Sequence, residues 1–225
     1  IACKNGHLNI VDFLLENIDL NVNINAKDNN SFTGFILACK EGHLDIAELL
    51  MEKYIALGID LNAKATENAT AFMWACQMGH SKIAKLMLEY SVDSMGIDLN
   101  AVKSYSDVVK NSFIFRVDIN AKDNEGQTAF HLACRYGHLS VIKKLMENSA
   151  KSNINLNAKN NLGETAFHLA CTFGYFSVVK VLMENSANLN IDLNAKNDRG
   201  QTSFSTACDH GLINVGKKFM ENEAN

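Results

Sequence analysis

Proline is absent from this chain, tryptophan occurs once, and no apolar run reaches the length that crosses a bilayer. The last of these absences sets aside membrane insertion. Basic residues are not concentrated either: 21 Lys and Arg are interspersed among 25 Asp and Glu, for a net charge of −4. Without a basic stripe a phosphate backbone finds no electrostatic hold, so nucleic acid is not an expected partner. The glycines stand singly, so no loop is built to cradle a phosphate. An opening methionine is missing as well. The chain starts at Ile1-Ala2-Cys3, which matches Leu132-Ala133-Cys134 further on, and stops at Asn225, about where the same pattern would restart. It reads as a piece of a longer protein, with any targeting signal outside it.

What the chain does have is self-similarity. Asn120 to Leu156 is followed at once by a second version, Asn157 to Leu193, and further versions start at Asn25, Asn62 and Asn194. The cysteines test the period: Cys3, Cys39, Cys76, Cys134, Cys171 and Cys208 are separated by 36, 37, 58, 37 and 37 residues. Only the 58 is out of step, and it exceeds the 37-residue repeat by 21. Repeats of this length each form one supersecondary unit that buries its apolar face only against its neighbours.

Within each unit, counting from its opening Asn as zero, position +8 is Thr in all five copies (Thr33, Thr70, Thr128, Thr165 and Thr202). A Thr just ahead of an apolar-periodic segment is a helix N-cap. Apolar residues at +10, +13 and +14, such as Phe130, Ala133 and Cys134, then share one face of a short helix. Gly at +17 ends it in a left-handed conformation. A second helix follows, with its stripe at +21, +22, +25 and +26, as in Val141, Ile142, Leu145 and Met146. Glu at +27 stands four residues after Lys85, Lys143, Lys180 and Lys217, an arrangement for exposed ion pairs worth a few tenths of a kcal/mol each. Between units, Ile59-Asp60-Leu61-Asn62 and its counterparts alternate apolar and polar residues and run into a polar turn, which predicts a short finger.

Helix–turn–helix units joined by fingers and carrying Gly-x-Thr-Ala-Phe-His-Leu-Ala-Cys resemble ankyrin repeats, over nearly the whole chain. The resemblance implies an all-α solenoid of stacked antiparallel helix pairs with short β-hairpin fingers. There are departures. Ala129, Ala166, Ala71, Ser203 or Gly34 replaces the motif's proline, and the motif histidine survives only as His131 and His168, with Ile36, Met73 and Ser205 elsewhere. In the family that imidazole helps tie the motif together by hydrogen bonds. The longer period puts extra residues after the second helix, at Ser149 to Asn153 and Ser186 to Asn190.

One array is expected over residues 1–225: a truncated repeat 1–24, repeats 25–61 and 62–99, an irregular half-repeat 100–119, then repeats 120–156, 157–193 and 194–225. Residues 100–119 read either as a repeat that has lost its finger tip and first helix or as a long loop carrying one helix. In both readings the register of the stack is expected to break there.

Six cysteines at one interior position are small core residues of a reducing compartment, so an intracellular, most simply cytoplasmic, location is expected. Cys-x-x-x-His recurs, as in Cys39–His43 and Cys134–His138, but the two residues lie on opposite sides of the Gly turn and a structural zinc needs four converging ligands. No metal, cofactor, catalytic residue or small-molecule substrate is expected, and the chain is read as non-enzymatic.

The resemblance implies a protein partner docked on the concave face, made by the finger tips and the exposed side of the first helix. On the helices the positions are Gln77-Met78, Arg135-Tyr136, Thr172-Phe173 and Asp209-His210, with Lys40-Glu41 before them; on the fingers they include Asn124, Glu125, Gln127, Leu162, Glu164 and Arg199. Met78, Tyr136, Phe173 and Leu162 are apolar residues that the core does not need, the usual material of binding hot spots. Trp74 falls where other copies have Leu, and joins either this surface or the core. A second reading makes the array the regulatory or targeting part of a larger enzyme, ubiquitin-ligase component or channel.

Overall fold

The computed structural model describes residues 1–17, 23–91 and 117–212. Helices come in pairs: α1 (Ala2–Asn5) with α2 (Leu8–Glu16), α3 (Gly34–Glu41) with α4 (Leu44–Glu52), and, after the single turn α5 (Tyr54–Leu57), α6 (Ala71–Gln77) with α7 (Ser81–Glu89). Beyond these lie α8 (Ala129–Arg135) with α9 (Leu139–Glu147), α10 (Ala166–Thr172) with α11 (Phe176–Glu184), the turn α12 (Ser186–Leu189), and α13 (Ser203–Asp209). The first helices of the pairs stack on one another in chain order, and the second helices form a parallel outer row.

Local chemistry explains each start and stop. Thr33, Thr70, Thr165 and Thr202 cap their helices through the side-chain oxygen, which accepts the backbone N–H three residues on at 3.3–3.4 Å. Gly, Ala or Ser in the proline position leaves these caps intact. In two repeats the motif histidine completes the cap: the Thr128 and Thr165 N–H groups donate to Nδ1 of His131 (3.2 Å) and His168 (3.3 Å). The far ring nitrogens donate onward to the Glu164 and Gln201 carbonyls of the next finger, both at 3.1 Å. Each imidazole therefore ties its own helix to the following repeat.

The turn between paired helices needs glycine for two reasons. Gly42 has φ +86°, and a Cβ built there would lie 2.6 Å from Cε1 of His80 in the next repeat. The close approach serves a hydrogen bond. Nε2 of His43, His80 and His138 donates to the Lys4, Lys40 and Gln77 carbonyls at 2.9, 2.9 and 2.7 Å. These acceptors lie near the carboxyl ends of the inner helices, where carbonyls run out of helical partners. The histidines that looked like half of a metal motif are thus inter-repeat latches.

The core is the stripe read from the sequence. Phe35, Ile46, Phe72, Ile83, Phe130, Ile142, Phe167 and Val179 are all at most 2% exposed. Cys39, Cys76, Cys134 and Cys171 are buried, and desolvation pushes their thiols well up. The other two depart from the expectation of an interior position: Cys3 is half-buried and Cys208 exposed. They lie on α1 and α13, which have a described neighbour on one side only. The outer ion pairs also differ in one place. Lys85–Glu89 (3.5 Å) and Lys180–Glu184 (3.8 Å) form as expected, but Glu147 pairs with Lys144 at 2.7 Å rather than with Lys143. Lys217 and Glu221 lie outside the described residues.

Each finger is a tight turn rather than a ladder of strands. Asp123 N–H donates to Gln127 O and Gly126 N–H to Asp123 O, and among the described residues the single β-bridge joins Lys196 to Thr202. The extra residues of the long period add a helical turn closed by a left-handed residue, Gly58 or Asn190, with Asn153 in the same conformation at the equivalent place.

Fingers are stitched together by the asparagine that opens each repeat. Asn25 Nδ2 donates to Gly58 O (2.7 Å), while its Oδ1 accepts from Asp60 N (2.9 Å). Asn120 makes the same pair of bonds with Asn153 O and Asn155 N, and Asn157 with Asn190 O and Asp192 N. Nearer the tips, backbone bonds run from finger to finger: Thr66 N to Asn30 O, Asn161 N to Glu125 O and Asp198 N to Leu162 O.

The same bonds cross the irregular segment, which corrects the expectation of a break in register. Asp118 N donates to Asn62 Oδ1 (2.8 Å), Asn124 N to Glu67 O (2.9 Å) and His138 Nε2 to Gln77 O (2.7 Å). α8 packs on α6 and α9 on α7 as successive repeats do. The choice between a degenerate repeat and a helical loop at 100–119 turns on residues 100–116, which lie outside the described ones. Deleting 100–119 joins Leu99 to Asn120 and leaves Gly96-Ile97-Asp98-Leu99-Asn120, a copy of Gly58 to Asn62. The expected result is a folded array whose melting midpoint by circular dichroism stays within about 5 °C of the parent, equivalent to about 1–2 kcal/mol at this size. A variant that no longer melts cooperatively refutes the direct stacking of α6 on α8.

Candidate protein-interaction surface

The inner helices turn positions +15 and +16 away from the core, and the side chains there meet across repeats. Gln77 Nε2 donates to the Tyr136 hydroxyl at 3.5 Å. The Arg135 guanidinium lies 5.6 Å from the centre of the Phe173 ring and pairs with Glu125 Oε2 at 3.0 Å. One repeat's helix is thereby linked to its own finger tip and to an aromatic ring on the next repeat. Met78 (40%), Tyr136 (43%), Phe173 (47%) and Leu162 (59%) are exposed although large and apolar. Met78, Tyr136 and Phe173 are the C-cap residues of α6, α8 and α10 and make a row along the stack.

Other expected residues are engaged locally. Thr172 is half-buried and donates from Oγ1 to His168 O at 2.9 Å. Asp209 is exposed and accepts from Gln201 Nε2 at 2.7 Å, and exposed His210 turns Nδ1 to the Thr206 carbonyl at 2.8 Å. Asn124 and Arg199 are exposed at finger tips; half-buried Glu164 accepts from Asn160 Nδ2 at 3.0 Å. Gln127 does not belong to the accessible surface. It is 2% exposed, because its amide bonds to the Glu125 carboxylate and its backbone closes the finger turn on Asp123. A position that the resemblance assigns to the docking face is drawn in here by its bonds to Glu125 and Arg135.

Trp74 settles between the two alternatives left open. It is half-buried, its ring lies 5.5 Å from Phe32, and Lys40 Nζ sits 4.6 Å from one ring centre and 4.4 Å from the other. The ammonium of Lys40 is held by the negative faces of two aromatic rings. Reading the sequence also missed Tyr175 and Phe176, 37% and 41% exposed at the turn of the next repeat. Tyr175 occupies the latch-histidine position and lies over Gly137, and the signal that would have found both is a pair of aromatics where the four preceding copies have His-Leu or His-Ser.

Paired helices, Thr caps, latch histidines and fingers at a fixed period leave little choice of family, and the family model described as ankyrin repeats (3 copies) matches residues 1–103 and again 99–197. The chain belongs to the ankyrin-repeat family. No curated protein matches it. Ankyrin repeats are in general protein-interaction modules and typically carry no catalytic groups of their own. Among the described residues of this ankyrin array, no helix is long and apolar enough to cross a membrane, and no group of three or more His, Cys, Asp or Glu is placed to hold a metal.

Proposed function

We propose that this ankyrin array is a non-enzymatic module that binds a protein partner on its concave face inside the cell, with Arg135, Tyr136, Phe173 and Met78 as anchors and the finger tips Asn124, Glu125, Leu162 and Arg199 setting specificity. The observation that carries the reading is the exposed row Met78, Tyr136, Phe173 at the C-caps of three successive inner helices. Large apolar and aromatic side chains left exposed at one repeated position cost solubility unless something covers them. Arg135, held in place by Glu125 and stacked toward Phe173, adds the residue type most often found beside aromatics at hot spots. Repeat boundaries at 25, 62, 120, 157 and 194 belong to the same reading. So does the second possibility, a regulatory array whose catalytic or membrane part lies in other segments of a longer protein.

Affinity capture from source-cell lysate, with the chain and its Tyr136→Glu, Phe173→Glu variant as paired baits of equal circular dichroism, tests this. Proteins held by the first are expected to be lost by the second, with affinity down at least tenfold, as when a hot spot worth about 2 kcal/mol is removed. Identical captures refute the site assignment.

A further inference from the structure

We propose that Met78 is an oxidative modification site: a hydroperoxide converts its thioether to the sulfoxide ahead of the other described methionines, and the added oxygen weakens docking until a reductase removes it. The docking half of the inference rests on the concave-face reading; the chemistry at Met78 does not. Methionine is unevenly placed in this array. Met51, Met73, Met87, Met146 and Met183 are at most 5% exposed, inside the stripe that each repeat buries against its neighbours. Met78 is 40% exposed at the C-cap of α6, where the other copies place Glu41, Tyr136, Phe173 and His210. No packing role calls for a thioether there. A hydroperoxide in solvent reaches this sulfur directly, whereas close-packed neighbours screen the five buried ones while the array stays folded.

The step needs only the hydroperoxide. The sulfur lone pair takes its terminal oxygen, the O–O bond breaks, and the proton of that oxygen passes to the one that leaves as water or an alcohol. Sulfur is oxidised by two electrons and the peroxide is reduced by two. Thiolates are the usual competitors, but Cys39, Cys76, Cys134 and Cys171 are buried and desolvation holds them as thiols. Cys208 is exposed and is the thiol to remove in a test. The Met78 N–H donates to Trp74 O at 2.9 Å, and a side chain outside the core takes up an oxygen without disturbing that helix end. What changes is the row. Its first rung turns from a flexible apolar group into a strong hydrogen-bond acceptor, which is costly to cover without a donor.

The test treats the Cys208→Ser chain with dilute hydrogen peroxide and follows each methionine by peptide mass mapping. Met78 should gain an oxygen at least about tenfold faster than each of the five buried methionines, at unchanged circular dichroism, and methionine sulfoxide reductase should reverse it. Equal or slower oxidation of Met78 overturns the inference. For docking, the readout is any protein whose capture is lost with Tyr136→Glu, Phe173→Glu. Its affinity should fall about fivefold after peroxide and return after the reductase, as when one apolar contact at an interface is spoiled. In Met78→Leu, whatever its starting affinity, that response to peroxide should disappear. Capture that ignores the oxidation of Met78 overturns the docking half and leaves the concave-face reading standing. Capture that ignores the double variant overturns that reading and the docking half with it, while the mapping still decides the chemistry at Met78.

Discussion

Lowering the pH from 7.5 to 4.5 should loosen the two repeats built on His131 and His168 ahead of the others. Both imidazoles are buried, at 1% and 0% exposure, with Nδ1 facing the N–H and hydroxyl of their capping Thr. Desolvation lowers the pKa of His131 to about 4, the Glu164 carbonyl pulling weakly the other way and Lys122 adding to the fall. His168 is lowered by the same cause, with the Gln201 carbonyl opposing it. A base with a depressed pKa in the folded chain contributes stability that is complete above its unfolded value, near 6.5, and is lost as pH falls towards the folded value. A gap of about 2.5 units for His131 corresponds to roughly 3 kcal/mol by pH 4. Asp123, whose carboxyl burial pushes up, titrates with the opposite sign and offsets part of the loss. Urea midpoints measured across the range, with amide exchange at 129–135 and 166–172, check this. In a His131→Gln, His168→Gln variant the slope between pH 6.5 and 4.5 should largely vanish; an unchanged slope puts the titration elsewhere.

That prediction draws on both what the sequence displays and what it conceals. Thr33 through Thr202 could be assigned as caps from composition alone, because a Thr eight residues into every unit, ahead of an apolar i, i+3, i+4 set, has one economical explanation. His131 and His168 were legible only through the family resemblance, since a lone buried imidazole carries no periodic signal. The opening asparagine was visible as a register mark in every copy, yet its bonds join residues 33 and 35 positions apart, as with Asn120 to Asn153 and Asn155, and no local pattern reports a contact at that range. Gln127 was misjudged because the resemblance fixes only its place on the finger, while its exposure depends on where Arg135 and Glu125 swing.

The irregular segment misled for a thermodynamic reason. A surplus of 21 residues looks like a defect in a one-dimensional count. Lengthening a loop whose ends are already held together costs only about 0.6 kcal/mol per doubling, small beside the contacts between two stacked repeats. The bonds from Asp118 to Asn62 and from Asn124 to Glu67 hold those ends. Count and register are separate properties of such a chain, and the sequence displays only the first.

If the stack is continuous, damage at its middle should divide it. Phe72→Ala removes a fully buried ring from α6, whose neighbours are α3 on one side and α8 on the other. Truncating a buried Phe to Ala costs about 3–5 kcal/mol, and here the loss falls on two inter-repeat interfaces at once. Stability in an array is a sum of repeat and interface contributions, so weakening the central interface uncouples the segments on either side. Calorimetry should show the parent's melting broaden into two steps, with 120–193, which holds both histidine-closed caps, melting last. Phe72→Leu, which keeps most of the buried volume, should lower the midpoint by a few degrees without splitting it. A single sharp transition for Phe72→Ala, merely shifted down, would mean that cooperativity passes around α6 through the outer row and the finger bonds. The double variant Asn62→Ala, Phe72→Ala then becomes decisive, because it also removes the acceptor that holds Asp118. Splitting that appears only in the double variant assigns the coupling to the fingers, and no splitting in either leaves α7 on α9 as the contact that carries it.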